Sequence, residues 1–281
     1  MTSRQNTSGV RRKPVLNAAA AGFCLLWAFP VYWMLNTAFK PTGDILSSTP
    51  HFLPFPFTLA NFASAVHRPH FGTDLLNSAL VTCSVVVVAI GIAFLAATAL
   101  TRFRFLGRRG FLIIVLAVQM VPQPALVIPL FLGLKSLHML NTLIGLSLTY
   151  TAFVLPLTIW VLRGFLQGVP VELEEAAMVD GAGRLTVIRR ILLPLVMPGV
   201  VATSVFAFIT AWNDYTYAYV MMDDQAKYTL PVWLASFSTA VGTDYGGLIA
   251  ATSLFAIPVI VFFMLVQRRL VAGMTAGAVK G

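Results

Sequence analysis

Six long apolar runs, broken by short polar stretches, set the pattern of this chain. They cover 14–39, 75–101, 110–134, 136–162, 191–213 and 245–267. A helix crossing a lipid core needs about 20 apolar residues, so the pattern predicts six transmembrane helices. The third and fourth runs are separated only by Lys135 and a few polar residues to Asn141. Gly133 and Asn141-Thr142 supply turn chemistry there, which predicts a tight hairpin and not one very long helix. Pro30, Pro122, Pro124, Pro129, Pro156 and Pro258 fall inside runs. They are expected to kink their helices, with neighbouring helices re-satisfying the freed carbonyls. Ala89, Ala93 and Ala97, spaced i,i+4, form a small-residue stripe suited to close helix packing.

The polar stretches give an orientation. Lys and Arg collect on the cytoplasmic side of membrane proteins. With the N-terminus inside, the inner segments hold Arg4, Arg11, Arg12, Lys13, Arg102, Arg104, Arg108, Arg109, Arg163, Arg184, Arg189, Arg190, Arg268, Arg269 and Lys280. The outer segments keep only Lys40, Arg68, Lys135 and Lys227. Both termini are therefore expected inside. This divides the chain into an inner tail (1–13), a six-span region (14–267, core about 71–267) and a second inner tail (268–281). The first run is too long for a cleaved signal peptide and lacks a small-x-small end, so a retained signal-anchor helix is expected. The outer segment 40–74 contains P-H-F-L-P-F-P-F at 50–57, whose prolines favour an extended, docked path. The second sizeable outer segment is 214–244.

Composition narrows the function. The chain is 58% hydrophobic and 10% charged, against about a quarter charged for soluble domains. Its net charge of +9 is scattered between apolar blocks and forms no single patch, so nucleic acid is not an expected partner. Cys24 and Cys83 lie inside apolar runs and support neither a disulfide framework nor a metal cluster. His67 and His70 have i,i+3 spacing but no third ligand with suitable spacing, so no metal site is expected. No span carries an ionisable residue near its middle; Asp74, Asp214 and Asp244 sit at outer edges. That counts against an ion-coupled secondary carrier or a voltage sensor. G-x-x-x-x-G-K-[ST], G-x-S-x-G and H-E-x-x-H are all missing, so neither a nucleotide-hydrolysing nor another enzymatic site is expected on this chain.

One segment departs from the pattern. Glu174 to Gly183 reads E-E-A-A-M-V-D-G-A-G and holds three of the ten acidic residues. It lies in the inner segment 163–190. Pro170 suits a first helical position, and Glu172, Glu174 and Glu175 suit the positive end of a helix. Asp180-Gly181 and Gly183 break the helix, and a second helical segment is expected from Arg184 to Pro194. The prediction is a short surface helix, a glycine turn and a return to the membrane. Leu173, Ala176, Ala177 and 179–182 make a small-residue knob. A helix lying on lipid normally carries Lys and Arg on its polar face; Glu here favours a protein partner.

E-A-A at 175–177, glycine at 181, nine further residues and then I-L-L-P at 191–194 resemble the signature loop of ATP-binding-cassette importer permeases. N-T-A-F-K-P at 36–41, T-R-F-R-F-L-G-R-R at 101–109, M-V-P-Q-P-A-L-V-I-P-L at 120–130, A-W-N-D at 211–214 and the ending G-M-T-A-G-A-V-K-G are similar to the sugar-importing branch. Within that branch the chain resembles the six-span subunit of maltose-type transporters. The resemblance implies an all-α type I importer permease in the bacterial plasma membrane, paired with a second permease. It implies an ATPase dimer that binds ATP and Mg, leaving this chain without a cofactor, and an extracytoplasmic binding protein that delivers a carbohydrate. A uronide, an oligosaccharide or a glycerol-phosphate-like solute would each fit. The loop would be a coupling helix seated in the ATPase, with Glu174, Glu175, Ala176, Ala177, Asp180, Gly181 and Ala182 as its contact residues. Gly273, Thr275, Gly277 and Lys280 of the C-terminal tail would be a second ATPase contact, and the 214–244 segment would meet the binding protein. Asn77, Ser78, Gln119, Asn213 and Tyr215, near outer ends of spans, are the residues expected to line the solute route. The competing reading is an ATP-independent carrier or channel, and a third is a membrane-anchored assembly protein without a pore.

Overall fold

The computed structural model describes residues 14–278, with side chains as far as Gln267 apart from Val15. The chain is helical almost throughout. Four helices are long and apolar enough to cross a membrane. They are α1 (Pro14–Ala38), α4 (Phe71–Arg102), α7 (Leu143–Gln167) and α14 (Tyr245–Ala278). Two bent pairs bring the total to as many as six spans. Between α1 and α4 lie α2 (Thr42–Ile45) and α3 (Ala60–His67). The described residues form two compact units, one of 14–66 with 240–254 and one of 67–239 with 255–278.

In the first unit, the proline-rich stretch docks on the end of α1. Trp33 packs edge-on against Phe52, and Phe39 stacks on Phe57 at 4.8 Å. The Tyr32 hydroxyl donates to the Phe52 carbonyl and the Lys40 ammonium to that of His51. Asn61 donates to the carbonyls of Ala38 and Lys40 at 2.9 and 2.8 Å. The path is irregular over 46–59, as its prolines predict; the helices at 42–45 and 60–67 are additions to that expectation.

The second unit is built on α4 and α7. These helices run parallel: Ser84, midway along α4, bonds Ser147 near the start of α7 at 2.9 Å, while Arg102 at the end of α4 meets Val169 just past the end of α7. Ala89, Ala93 and Ala97 are fully buried. They let the backbones approach, and Leu146, Tyr150, Val154, Ile159, Leu162 and Leu166 fill the seam. In lipid no water is expelled by such contacts, so close van der Waals packing supplies the association.

The third span differs from expectation. It is α5 (Arg108–Gln119), a 3₁₀ turn (Gln123–Leu126) and α6 (Val127–Ser136), bent by 100° at the break. Pro122 and Pro124 withhold two backbone donors within three residues, so the ladder breaks outright where a kink was predicted. Pro30, Pro156 and Pro258, each isolated, stay inside continuous helices. The hairpin turn also moves. Gly133 is helical, and the reversal uses left-handed His138 and Asn141, with Thr142 Oγ1 capping α7 through the Gly145 amide at 3.0 Å. A Cβ on Gly145 would stand 2.3 Å from the Met139 carbonyl oxygen, so this turn accepts only glycine there.

The fifth span is also bent. After α8 (Glu172–Val179) come α9 (Arg184–Val187), a π-helical turn (Ile188–Leu192) and α10 (Leu193–Leu195). This rod meets α11 (Met197–Asn213) at 75°. The apolar run from 191 is thus divided between this rod and α11. Pro194 and Pro198 both lack an N–H, which opens the ladder at the bend. Beyond α11 come α12 (Thr216–Met221), a 3₁₀ turn (Gln225–Lys227), α13 (Leu230–Ala235) and the two-stranded β1 (Ser238–Thr239) and β2 (Gly242–Thr243).

Candidate coupling ledge and cavity

The acidic segment lies at the Arg102 end of α4. Here α7 closes with the amides of Gly168 and Val169 bonded to the carbonyls of Phe165 and Leu166. The next helix starts at Glu172, two residues later than Pro170 suggested, because 168–171 form the turn that links the two. Its C-terminus explains the E-A-A-x-x-x-G spacing. The Ala182 amide reaches back to the Ala177 carbonyl at 2.9 Å, and the Gly181 amide to that of Met178 at 3.1 Å. This pair of bonds is a Schellman cap, which needs a left-handed residue at the position of Gly181. Gly181 has φ +88°. Ala177 and Gly181 are therefore spaced by the geometry of one helix end.

The two adjacent glutamates have different surroundings. Glu174 is buried and ion-paired to the Arg102 guanidinium, which also donates to the Val169 carbonyl at 3.0 Å. Arg102 thus ties α4, the end of α7 and α8 together. Glu174, one of the expected contact residues, is buried because α8 sits on this arginine. Glu175, Ala176, Asp180 and Gly181 are exposed, and Ala177 and Ala182 are half-buried. Val179 is 87% exposed, and Leu173, Met178 and Leu185 are exposed beside it. The ledge therefore presents an apolar surface with an acidic flank. A small cavity of about 190 Å³ lies beneath, bounded by Arg102, Glu174, Met178 and Arg184. Leu192 and Val196, fully buried in the seam of α4 and α7, anchor the rod that follows. The rod in turn leads into α11 through the 75° bend.

Arg102 was legible only as one more inner basic residue. The signal that could have singled it out is an arginine at a helix end facing an acidic cluster across the fold, and sequence alone does not show such facing.

The residues expected along the solute route separate into two groups. Asn77 is buried and donates to the carbonyls of Ala226 and Tyr228 at 3.0 and 2.9 Å. The buried Ser78 hydroxyl accepts the Leu230 amide at 2.7 Å. Both hold the 226–230 backbone against α4, so their polar groups are consumed by packing. Gln119 is exposed at the broken third span, beside a cavity of about 450 Å³. Asn213 is exposed and donates to the Ile209 carbonyl. Tyr215 is exposed and stacks on Tyr219 at 5.3 Å, at the mouth of a cavity of about 550 Å³ at the Phe71 end. In A-W-N-D, Asp214 Oδ1 accepts the Tyr150 hydroxyl at 2.8 Å and the Tyr217 amide at 2.9 Å, capping α12. Burial pushes its carboxyl above the usual range, against the pull of these donors. Among the C-terminal residues, Gly273, Thr275 and Gly277 lie on α14 beyond the described side chains, and Lys280 lies outside the described residues. No group of His, Cys, Asp and Glu suited to a metal occurs among the described residues.

Residues 86–276 match the family model described as binding-protein-dependent transport system inner membrane component. The diacetylchitobiose uptake system permease protein DasC of Streptomyces coelicolor is 46% identical over 94% of this chain and 96% of its own. The trehalose transport system permease protein SugB of Mycobacterium tuberculosis is 35% identical, over 95% and 96%. In structure, the chain is similar to one from a bacterial ABC transporter importing the acidic polysaccharide alginate, with a TM-score of 0.79 over 95% of this chain and 98% of that one. Their sequences are 23% identical, so that likeness speaks for the fold.

Proposed function

The chain belongs to the family of binding-protein-dependent transport system inner membrane components, and from this premise we propose that it is the permease subunit of an ATP-driven carbohydrate importer. A second permease completes the pore, an ATPase dimer supplies the energy with ATP and Mg, and an extracytoplasmic binding protein delivers the sugar. The observation that carries this reading is the ledge at 172–183: exposed and apolar at its tip, yet clamped by Arg102 and joined to α11 through the 184–195 rod. A pore without an ion-coupling site of its own needs such a mechanical input. Glu175, Ala176, Asp180, Gly181 and the Val179 tip are the surface offered to the ATPase, and Glu174 sets its posture. The charge bias of the polar segments supports placing the Arg102 end in the cytoplasm of a bacterial cell and the Phe71 end outside. DasC and SugB are named for uptake of neutral disaccharides, which supports a solute of that class.

The test is uptake of labelled diacetylchitobiose and trehalose by a strain lacking the gene, complemented by wild type or by Glu175→Lys. Wild type is expected to restore uptake of at least one sugar. Glu175→Lys should reach the membrane at the wild-type level but lose uptake and ATPase co-purification. Full uptake by Glu175→Lys would overturn the role of the ledge.

A further inference from the structure

The cavity at the Phe71 end contains an unexplained polar atom. Asp74 sits in the first turn of α4, is 1% exposed and lines the cavity of about 550 Å³. Its Oδ1 is buried and has no hydrogen-bond partner. A buried carboxyl oxygen left unpaired is costly, and native proteins rarely keep one without a use.

The surrounding groups narrow what could satisfy it. Two of the neighbouring donors are already engaged. Arg68 bonds the Ser236 carbonyl and hydroxyl, and the Trp233 ring N–H bonds the Pro69 carbonyl at 3.0 Å. Asn77 and Ser78 fix the facing 226–230 wall. Asp74 remains, together with the side chains of His70, Tyr215, Tyr219, Gln225 and Tyr228, which also line the cavity and make no side-chain hydrogen bond among the described residues. The Tyr215 and Tyr219 rings are stacked within 16° of parallel, and these residues are 41% and 56% exposed. They offer a flat apolar face with polar tips. The volume is within the usual range for a small-molecule site.

A ligand matching this lining has an apolar ring face and several hydroxyl donors on its edge, and brings no acid group to Asp74. We propose that this cavity is a subsite for a neutral saccharide on this chain, with a sugar ring on the Tyr215–Tyr219 platform and a ring hydroxyl donating to Asp74. The inference rests on the importer reading above and adds to it a place of contact and a preference for neutral over acidic sugars.

The experiment uses whole cells expressing the complete transport system, and a matched strain lacking only the binding protein, with Cys24→Ser and Cys83→Ser in this chain. Gln225→Cys on the cavity wall reports occupancy through its rate of reaction with a membrane-impermeant thiol reagent. Asp223→Cys, an exposed position that does not line the cavity, is the control. Diacetylchitobiose and trehalose are the neutral probes, and an alginate disaccharide is the acidic one. A neutral probe should slow modification at position 225 about tenfold, leave position 223 unchanged and do so without the binding protein; the acidic probe should not protect. Asp74→Asn and Tyr219→Ala should each raise the half-saturating concentration for uptake about tenfold, the loss of roughly one good contact. Neutral-sugar uptake with no protection at 225, or protection by the binding protein alone, would overturn the subsite and leave the importer reading standing. Failure of wild type to take up either sugar would overturn both. If Asp74→Asn does not reach the membrane, protection at 225 decides the matter.

Discussion

At the residue scale, the ledge depends on one backbone conformation. Gly181 closes α8 with a left-handed φ of +88°, and a Cβ there would meet open space. The objection to alanine is therefore conformational and not steric. Left-handed backbone costs a residue with a Cβ about 1–2 kcal/mol, enough to favour unwinding of the last turn. Gly181→Ala should leave the chain in the membrane with little change in thermal stability, yet lower uptake several-fold. Gly181→Asn, which tolerates the left-handed region better, should recover part of it. Equal uptake by the alanine and asparagine variants would show that the cap geometry is irrelevant. The same scale explains why Glu174 and Glu175, indistinguishable in a sequence motif, differ in role. A helix turns by about 100° per residue, so adjacent positions on one short helix cannot share a face.

At the element scale, the ledge is as rigid as its attachment to α4. Arg102 and Glu174 are each only about a tenth exposed at the side chain, so removing one leaves a poorly solvated charge. Breaking such a pair is destabilising on the order of 3 kcal/mol, whereas replacing both partners by apolar groups is often close to neutral. Arg102→Met should lower the melting temperature of the purified transporter and release α8. The double variant Arg102→Met/Glu174→Met should regain most of the stability but not the uptake, because the tie to the Val169 carbonyl is also lost. Additive losses of stability in the double variant would refute the pairing. The two broken spans belong to this scale as well. Paired prolines at 122 and 124, and at 194 and 198, split helices that single prolines at 30, 156 and 258 leave intact.

At the scale of the whole molecule, the second unit has two ends of different chemistry. One carries Arg102, the ledge and the rod to α11; the other carries the Asp74 cavity, the capped α12 and α13. Solute contact at one end and force at the other is the division of labour a driven importer needs, and α4, α7 and α11 run between them. Thr186→Cys and Gln225→Cys should therefore react with an impermeant thiol reagent from opposite faces, position 225 in intact cells and position 186 only in inverted vesicles. Reaction of both from the same face would reverse the assignment of the ends.

The sequence alone determined the six apolar runs, the orientation expected from charge and the short helix capped at Gly181, but not the breaks in the third and fifth spans. Those three are encoded locally, in twenty-odd consecutive apolar residues, in charges beside a span, or in one glycine at a helix end. Tertiary structure alone decided which glutamate points inward, that Arg102 is its partner 72 positions away, and that Asn77 and Ser78 hold a loop while Asp74 faces a cavity. Those outcomes follow from which helix faces meet once α4, α7 and α11 pack, and the two-letter pattern of polar and apolar positions is nearly blind to facing inside a membrane, where every side of a helix reads as apolar.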